Sequence, residues 1–120
     1  SKSKGNLVFV SKLLAAGRDP MAIRWALMKD HYRQDRMWTE ELLVVAEGEI
    51  QALRSCLEQT NVAPTRELIE TIVKALSNDL DTQGVTTALN SWVRQTQSGE
   101  SGGDAPALAV ALEALLGIKL

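Results

Sequence analysis

Between residues 43 and 57 the apolar positions fall at Leu43, Ala46, Ile50, Leu53 and Leu57, at alternating separations of three and four. That spacing puts them on one stripe of an α-helix. Thr39 stands where an N-cap is needed, and Glu40 and Glu41 follow in the first turn, where negative charge complements the positive end of the helix dipole. After a break at residues 61–64, Leu68, Ile69, Ile72, Val73 and Leu76 mark a second helix. Asp81 is placed to cap a third, whose inward face is Val85, Ala88, Leu89, Trp92 and Val93. Residues 98–104 hold three glycines in seven and predict a mobile loop. Leu108, Leu112 and Leu115 then mark a last helix, expected over Ala105–Leu116 and stopped by Gly117.

Upstream the pattern is less regular. Ser1-Lys2-Ser3-Lys4-Gly5-Asn6 reads as a basic, flexible loop, and Leu7-Val8-Phe9-Val10 as a short extended segment. Ser11 can cap a short helix through residue 16, with Gly17 at its C-terminal end. Asp19-Pro20 supplies an N-cap acceptor and a proline at the first helical position, where its missing N–H costs nothing. The helix it opens is expected to reach residue 30, with Ile23, Ala26 and Leu27 inward. The fold class is therefore all-α: a short N-terminal loop and extended segment, connecting helices, then an antiparallel bundle of about four helices. The matching division is 1–10, 11–38 and 39–120. No repeat of solenoid length is visible.

Composition narrows the function classes. The chain has 120 residues, 45% hydrophobic and 23% charged, enough for one domain with a single core and no disulfide or metal staple. It is too short to hold a complete nucleotide-binding sheet besides this much helix. No apolar run approaches the ~20 residues that span a bilayer. Ser1 opens the chain with neither an initiator methionine nor a signal-peptide pattern, so a cytoplasmic location is expected and the chain reads as a piece of something longer. Residues 1–54 carry nine basic and seven acidic side chains, and residues 55–120 carry four basic and eight acidic. An acidic second half disfavours general binding to a phosphate backbone. Cys56 is the single cysteine, which excludes an intrachain disulfide and fits a reducing compartment.

Most enzyme signatures are missing. One histidine and one cysteine give no paired metal-ligand spacing, and no nucleophile elbow, Walker loop or dinucleotide glycine fingerprint occurs. The segment with unusual chemistry is the opening one. In an extended loop Lys2 and Lys4 project from one side and Ser1 and Ser3 from the other. Ammonium groups among small neighbours can approach a polyphosphate and neutralise charge that develops as its bond breaks. On those six residues alone a solvated basic tail is the more economical reading.

The downstream residues change that balance. Ser1-Lys2-Ser3 resembles the second half of the Lys-Met-Ser-Lys-Ser signature of class I aminoacyl-tRNA synthetases, entered after its first Lys-Met pair. The Gly5-Asn6 continuation, Asp19-Pro20 with Ile23-Arg24, His31-Tyr32-Arg33, Trp38-Thr39-Glu40-Glu41-Leu42 and Asn78-Asp79-Leu80-Asp81-Thr82 resemble the cysteine branch of that class, so the likeness covers nearly the whole chain. Two families in the branch fit: cysteinyl-tRNA synthetases and the paralogous mycothiol ligases, which join cysteine to glucosaminyl-inositol. Leu7 to Leu13, the stretch from Leu80 to Val93, and the ending Leu115-Leu116-Gly117-Ile118-Lys119-Leu120 are more similar to the C-terminal portion of the ligases.

What the resemblance implies is part of an ATP-dependent enzyme that forms cysteinyl-adenylate and passes the cysteinyl group to an amine. It assigns Lys2 to the second lysine of the signature, a catalytic residue stabilising the ATP phosphates, and Ser1 and Ser3 to the serines of the same ATP-contacting loop. Lys4 falls just past the signature. It implies a zinc ion for the cysteine thiolate, held by the rest of the enzyme and not by this chain, and an N-terminal catalytic nucleotide-binding domain as partner. Cysteine, ATP and glucosaminyl-inositol are the small molecules expected, with no membrane, tRNA disfavoured, a monomeric intact enzyme, and no activity in this chain alone.

Other residues have plainer readings. His31 follows a predicted helix end, where a cation is favourable near the C-terminal dipole. Arg33 and Arg36 have Asp30 and Asp35 as local partners. Trp25, Trp38 and Trp92 sit at or near core phases of their helices, and Cys56 reads as a quiet thiol. A non-catalytic helical module docking through its apolar stripes is the alternative from a different class.

Overall fold

A computed structural model of the chain describes residues 12, 15–30, 40–78 and 81–120. The predicted loop and extended segment at residues 1–10 lie outside these, as does Thr39 with its expected cap. The described elements are helical: α1 Pro20–Asp30, α2 Glu40–Leu57, α3 Arg66–Ser77, α4 Thr82–Gln97 and α5 Ala105–Leu116.

Their starts follow from local chemistry. Asp19 Oδ1 accepts from the Met21 N–H at 2.9 Å, and Pro20 is the first residue of α1. Asp81 Oδ1 accepts from Gly84 N–H at 2.9 Å at the start of α4, and Asp104 Oδ1 accepts from Ala107 N–H at 3.1 Å at the start of α5. Each satisfies one of the donors that a helix N-terminus leaves unpaired. Thr65 precedes α3 without capping it through its side chain. Its hydroxyl oxygen instead accepts from the Asp104 N–H at 3.0 Å, so a local bond is exchanged for one that ties α3 to the start of α5.

α4 packs against α1, α2 and α3, and α5 closes over α2 and α3. The shared core contains Trp25, Ile50, Leu53, Ile72, Val85, Leu89, Trp92, Leu108 and Leu112, all 2% exposed or less. Fully burying an aliphatic side chain of this kind stabilises by about 1.5–3 kcal/mol relative to leaving it in water.

The predicted stripes hold with four adjustments. Leu27, expected inward, is 51% exposed, whereas Ala22, Ile23, Trp25, Ala26 and Met28 are buried. The reason is that α1 meets both α2 and α4, so its buried arc is wide and shifted, with Leu27 on the remaining face. Cys56 rather than Leu57 is fully buried on α2, Leu116 is more buried than Leu115 on α5, and Val73 on α3 is largely exposed.

Residues 98–104, predicted as a mobile loop, are non-helical and anchored at their end. Gly103 N–H donates to the Val62 carbonyl at 3.0 Å. A Cβ at Gly103 would collide with the Ala63 carbonyl, so only glycine permits this approach.

Candidate functional site

Ser1, Lys2 and Ser3, the residues assigned to ATP phosphates, lie outside the described residues, as do Lys4, His31, Arg33, Arg36 and Trp38. The structure does describe the joint through which that opening segment enters the helices. Lys12 and Ala15 are helical, and the Ala16 N–H donates to the Lys12 carbonyl at 3.0 Å. Gly17, in the left-handed region at φ +81°, turns the chain where a side chain would be strained.

The next two residues carry opposite charges, and both are held by α2. Arg18 Nε and Nη2 donate to Glu47 Oε2 and Oε1 at 3.1 and 2.8 Å, a two-pronged pairing that fixes the guanidinium plane. Asp19 Oδ2 lies 2.8 Å from Arg54 Nη1 while its other oxygen caps α1. Glu47 and Arg54 are seven residues apart on α2, so they lie on the same stripe of that helix. The bond from Arg18 holds the Glu47 carboxyl below its ordinary value, against partial desolvation and the neighbouring Asp19 charge. For Asp19, desolvation pushes upward, but the Arg54 guanidinium and the backbone N–H groups of Met21 and Ala22 outweigh it and leave the carboxyl lowered.

A second polar junction joins three helices. Glu49 Oε1 accepts from Trp25 Nε1 at 3.0 Å and from Lys29 Nζ at 2.9 Å, and Oε2 accepts from Asn90 Nδ2 at 2.9 Å. One carboxylate thereby ties α1 and α4 to α2. Arg24 Nε donates to the Leu116 carbonyl at 2.6 Å, placing a cation at the C-terminal end of α5. An open groove of about 350 Å³ runs between α2 and α4, walled by Val44, Val45, Ala52, Val93 and Arg94 beside Glu49. Its one carboxylate is already engaged by three donors, so it presents no free acid or base pair.

Cys56 is buried, its Sγ 3.9 Å from the Val93 carbonyl, and burial pushes its thiol up, away from the nucleophilic thiolate. Among the described residues no group of three or more His, Cys, Asp or Glu is placed to hold a metal ion, and no helix is long and apolar enough to cross a membrane. Reading the residues in sequence singled out none of Arg18, Glu47, Glu49 or Arg54. The signal present was weak: an Arg-Asp pair before proline, and two glutamates in the middle of an amphipathic helix. Pairings between residues 20 to 41 positions apart leave no local pattern.

No protein-family model matches the chain. Its whole length is similar to curated ligases. It is 45% identical to the L-cysteine:1D-myo-inositol 2-amino-2-deoxy-alpha-D-glucopyranoside ligase 2 of Corynebacterium jeikeium, and 43% identical to the L-cysteine:1D-myo-inositol 2-amino-2-deoxy-alpha-D-glucopyranoside ligases of Nakamurella multipartita and Rhodococcus jostii. The alignments cover 100% of this chain but 28–30% of those proteins, so the chain spans under a third of the length of the relatives it matches. Similarity at this level along every residue makes the chain a homologue of part of a larger ligase. The relatives are mycothiol ligases, the family that residues 7–13, 80–93 and 115–120 resemble more than the cysteinyl-tRNA synthetases.

Proposed function

We propose that the chain is the C-terminal helical part of an ATP-dependent ligase that activates cysteine as cysteinyl-adenylate and transfers it to the amine of glucosaminyl-inositol. Identity of 42–45% with ligases of that name, over the full chain, is the observation that carries the reading. In it, residues 1–10 end the nucleotide loop, 11–38 connect, and 39–120 form the bundle. The catalytic sheet belongs to the remaining two thirds or more of the enzyme, together with a zinc ion that would bind the cysteine thiolate. This chain alone has no activity.

In the first step the cysteine carboxylate attacks the α-phosphorus of ATP, and the bond to the β-phosphate breaks as pyrophosphate leaves. Negative charge builds on the departing phosphates. The Lys2 ammonium, flanked by the small side chains of Ser1 and Ser3, is suited to neutralise it. In the second step the sugar amine attacks the acyl carbonyl, loses a proton, and AMP departs. The described helices contribute no group to either bond change; they carry the segment that does.

The test is cysteine-dependent exchange of labelled pyrophosphate into ATP by the intact enzyme. Lys2→Ala should slow it by about 10²-fold or more, as for loss of one transition-state contact. An unchanged exchange rate would remove Lys2 from the site.

A further inference from the structure

The groove between α2 and α4 has the form of a helix receptor. Val44, Val45, Gly48 and Ala52 fall on one face of α2, and Asn90, Val93, Arg94 and Gln97 on one face of α4, so two packed helices turn continuous stripes toward the same space. A third, amphipathic helix fits such a space through residues three and four apart. Val44 and Val45 are 55% and 44% exposed, which leaves adjoining apolar surface in water.

Gly48 is unexplained by the chain's own packing. It stands inside α2, where glycine is the poorest helix former after proline, and a Cβ there would meet nothing within 4 Å. Its missing side chain lets another backbone come close. The charge of the groove is also unbalanced. Of its two charged residues, Glu49 is engaged by Trp25, Lys29 and Asn90, whereas the Arg94 side chain has no hydrogen-bond or ion-pair partner among the described residues. An occupant that brings a carboxylate is favoured.

Size and chain length select the occupant. Nine residues line the groove, against about 20–30 a side in a stable complex of separate proteins. So small a surface suits a partner joined covalently, whose docking is intramolecular and occurs at high effective concentration. The matched ligases hold more than two thirds of their length outside the region that this chain covers.

We propose that the α2–α4 groove seats an amphipathic helix from the part of the enzyme outside this chain, with its apolar face on Val44, Val45 and Val93, its closest backbone approach at Gly48, and a carboxylate on Arg94. This rests on the reading of the chain as part of a larger ligase. The groove is then the seam that fixes the helical bundle to the rest of the molecule.

The test uses the intact enzyme. Thiol labelling of Val44→Cys, followed on its own peptide by mass spectrometry, should be at least about tenfold slower in the native protein than in urea. A photoreactive amino acid in place of Gln97 should form an intramolecular cross-link to a segment outside residues 1–120, and Gly48→Leu and Arg94→Glu should each lower its yield by about tenfold. Arg94→Lys keeps the charge and should retain the yield to within about threefold. Circular dichroism reports whether each variant is folded; if Gly48→Leu is not, Arg94→Glu, at an exposed site with no partner to lose, reads the same docking. Weaker protection of the thiol, no cross-link, a cross-link to residues 1–120 or to a second copy, or a yield indifferent to both substitutions would each overturn the proposal. Neither measurement uses turnover, so a protein that docks in this way but lacks cysteine-dependent pyrophosphate exchange would contradict the proposed function alone.

Discussion

Thr96 and Gly103 show how single residues hold the non-helical stretch before α3. The Thr96 hydroxyl oxygen accepts from the Ala63 N–H at 3.1 Å, and Trp92 Nε1 donates to the Ala63 carbonyl at 2.9 Å, so both backbone groups of one buried residue are satisfied from α4. Thr96→Val keeps the shape and orphans a buried N–H, and should cost about 1–3 kcal/mol in urea unfolding followed by tryptophan fluorescence. Loss of less than a few tenths would mean that water replaces the hydroxyl. Trp25 and Trp92 were legible in the sequence as core residues, but their indole N–H partners were not, because Glu49 and Ala63 are 24 and 29 positions away. Cys56 was legible as a quiet thiol: its helix phase put it beside the core stripe and no basic residue was in place to activate it. It should resist alkylation in the native protein and react once the protein is unfolded in denaturant, which mass measurement after timed labelling would register.

At the scale of elements, helix starts written in local chemistry were readable, and pairings between elements were not. Asp19-Pro20 and Asp81 announced α1 and α4 because an N-cap needs only its own next few residues. Thr65 looks equally suited to cap α3, yet its oxygen serves Asp104, a choice made by packing. Leu27 was misplaced for a related reason: one helix period gives one inward stripe, but two neighbours widen and rotate the buried arc. The α1–α2 joint should also be sensitive to acid. The carboxyls of Asp19 and Glu47 titrate lower when folded than when unfolded, so their stabilising effect is complete above the ordinary carboxylate range and is lost as pH falls through the lowered folded values, from about pH 4 downward. The thermal midpoint should therefore fall more steeply in wild type than in Glu47→Gln as pH drops below about 4, with no difference in slope between about pH 5 and 7. Parallel curves would show that the joint does not contribute.

For the whole molecule, the all-helical class was legible from periodicity alone, because the amphipathic stripes of α2 to α5 are long and regular. Function was not legible that way. The described helices present a joint held by two ion pairs, a three-helix carboxylate junction and an open groove, none of which reveals a reaction. Short motifs along the chain carry the functional signal, and ligases for L-cysteine and 1D-myo-inositol 2-amino-2-deoxy-alpha-D-glucopyranoside are similar to it over its full length. An acidic second half, with four basic and eight acidic residues after position 54, disfavours general binding of these residues to a phosphate backbone.

The choice of acceptor tests the central claim most directly. The intact protein, loaded with preformed cysteinyl-adenylate in a single turnover, should release AMP rapidly and form an amide when given glucosaminyl-inositol, and should leave tRNA uncharged. Rapid charging of tRNA with no amide formed from the sugar amine would contradict the account.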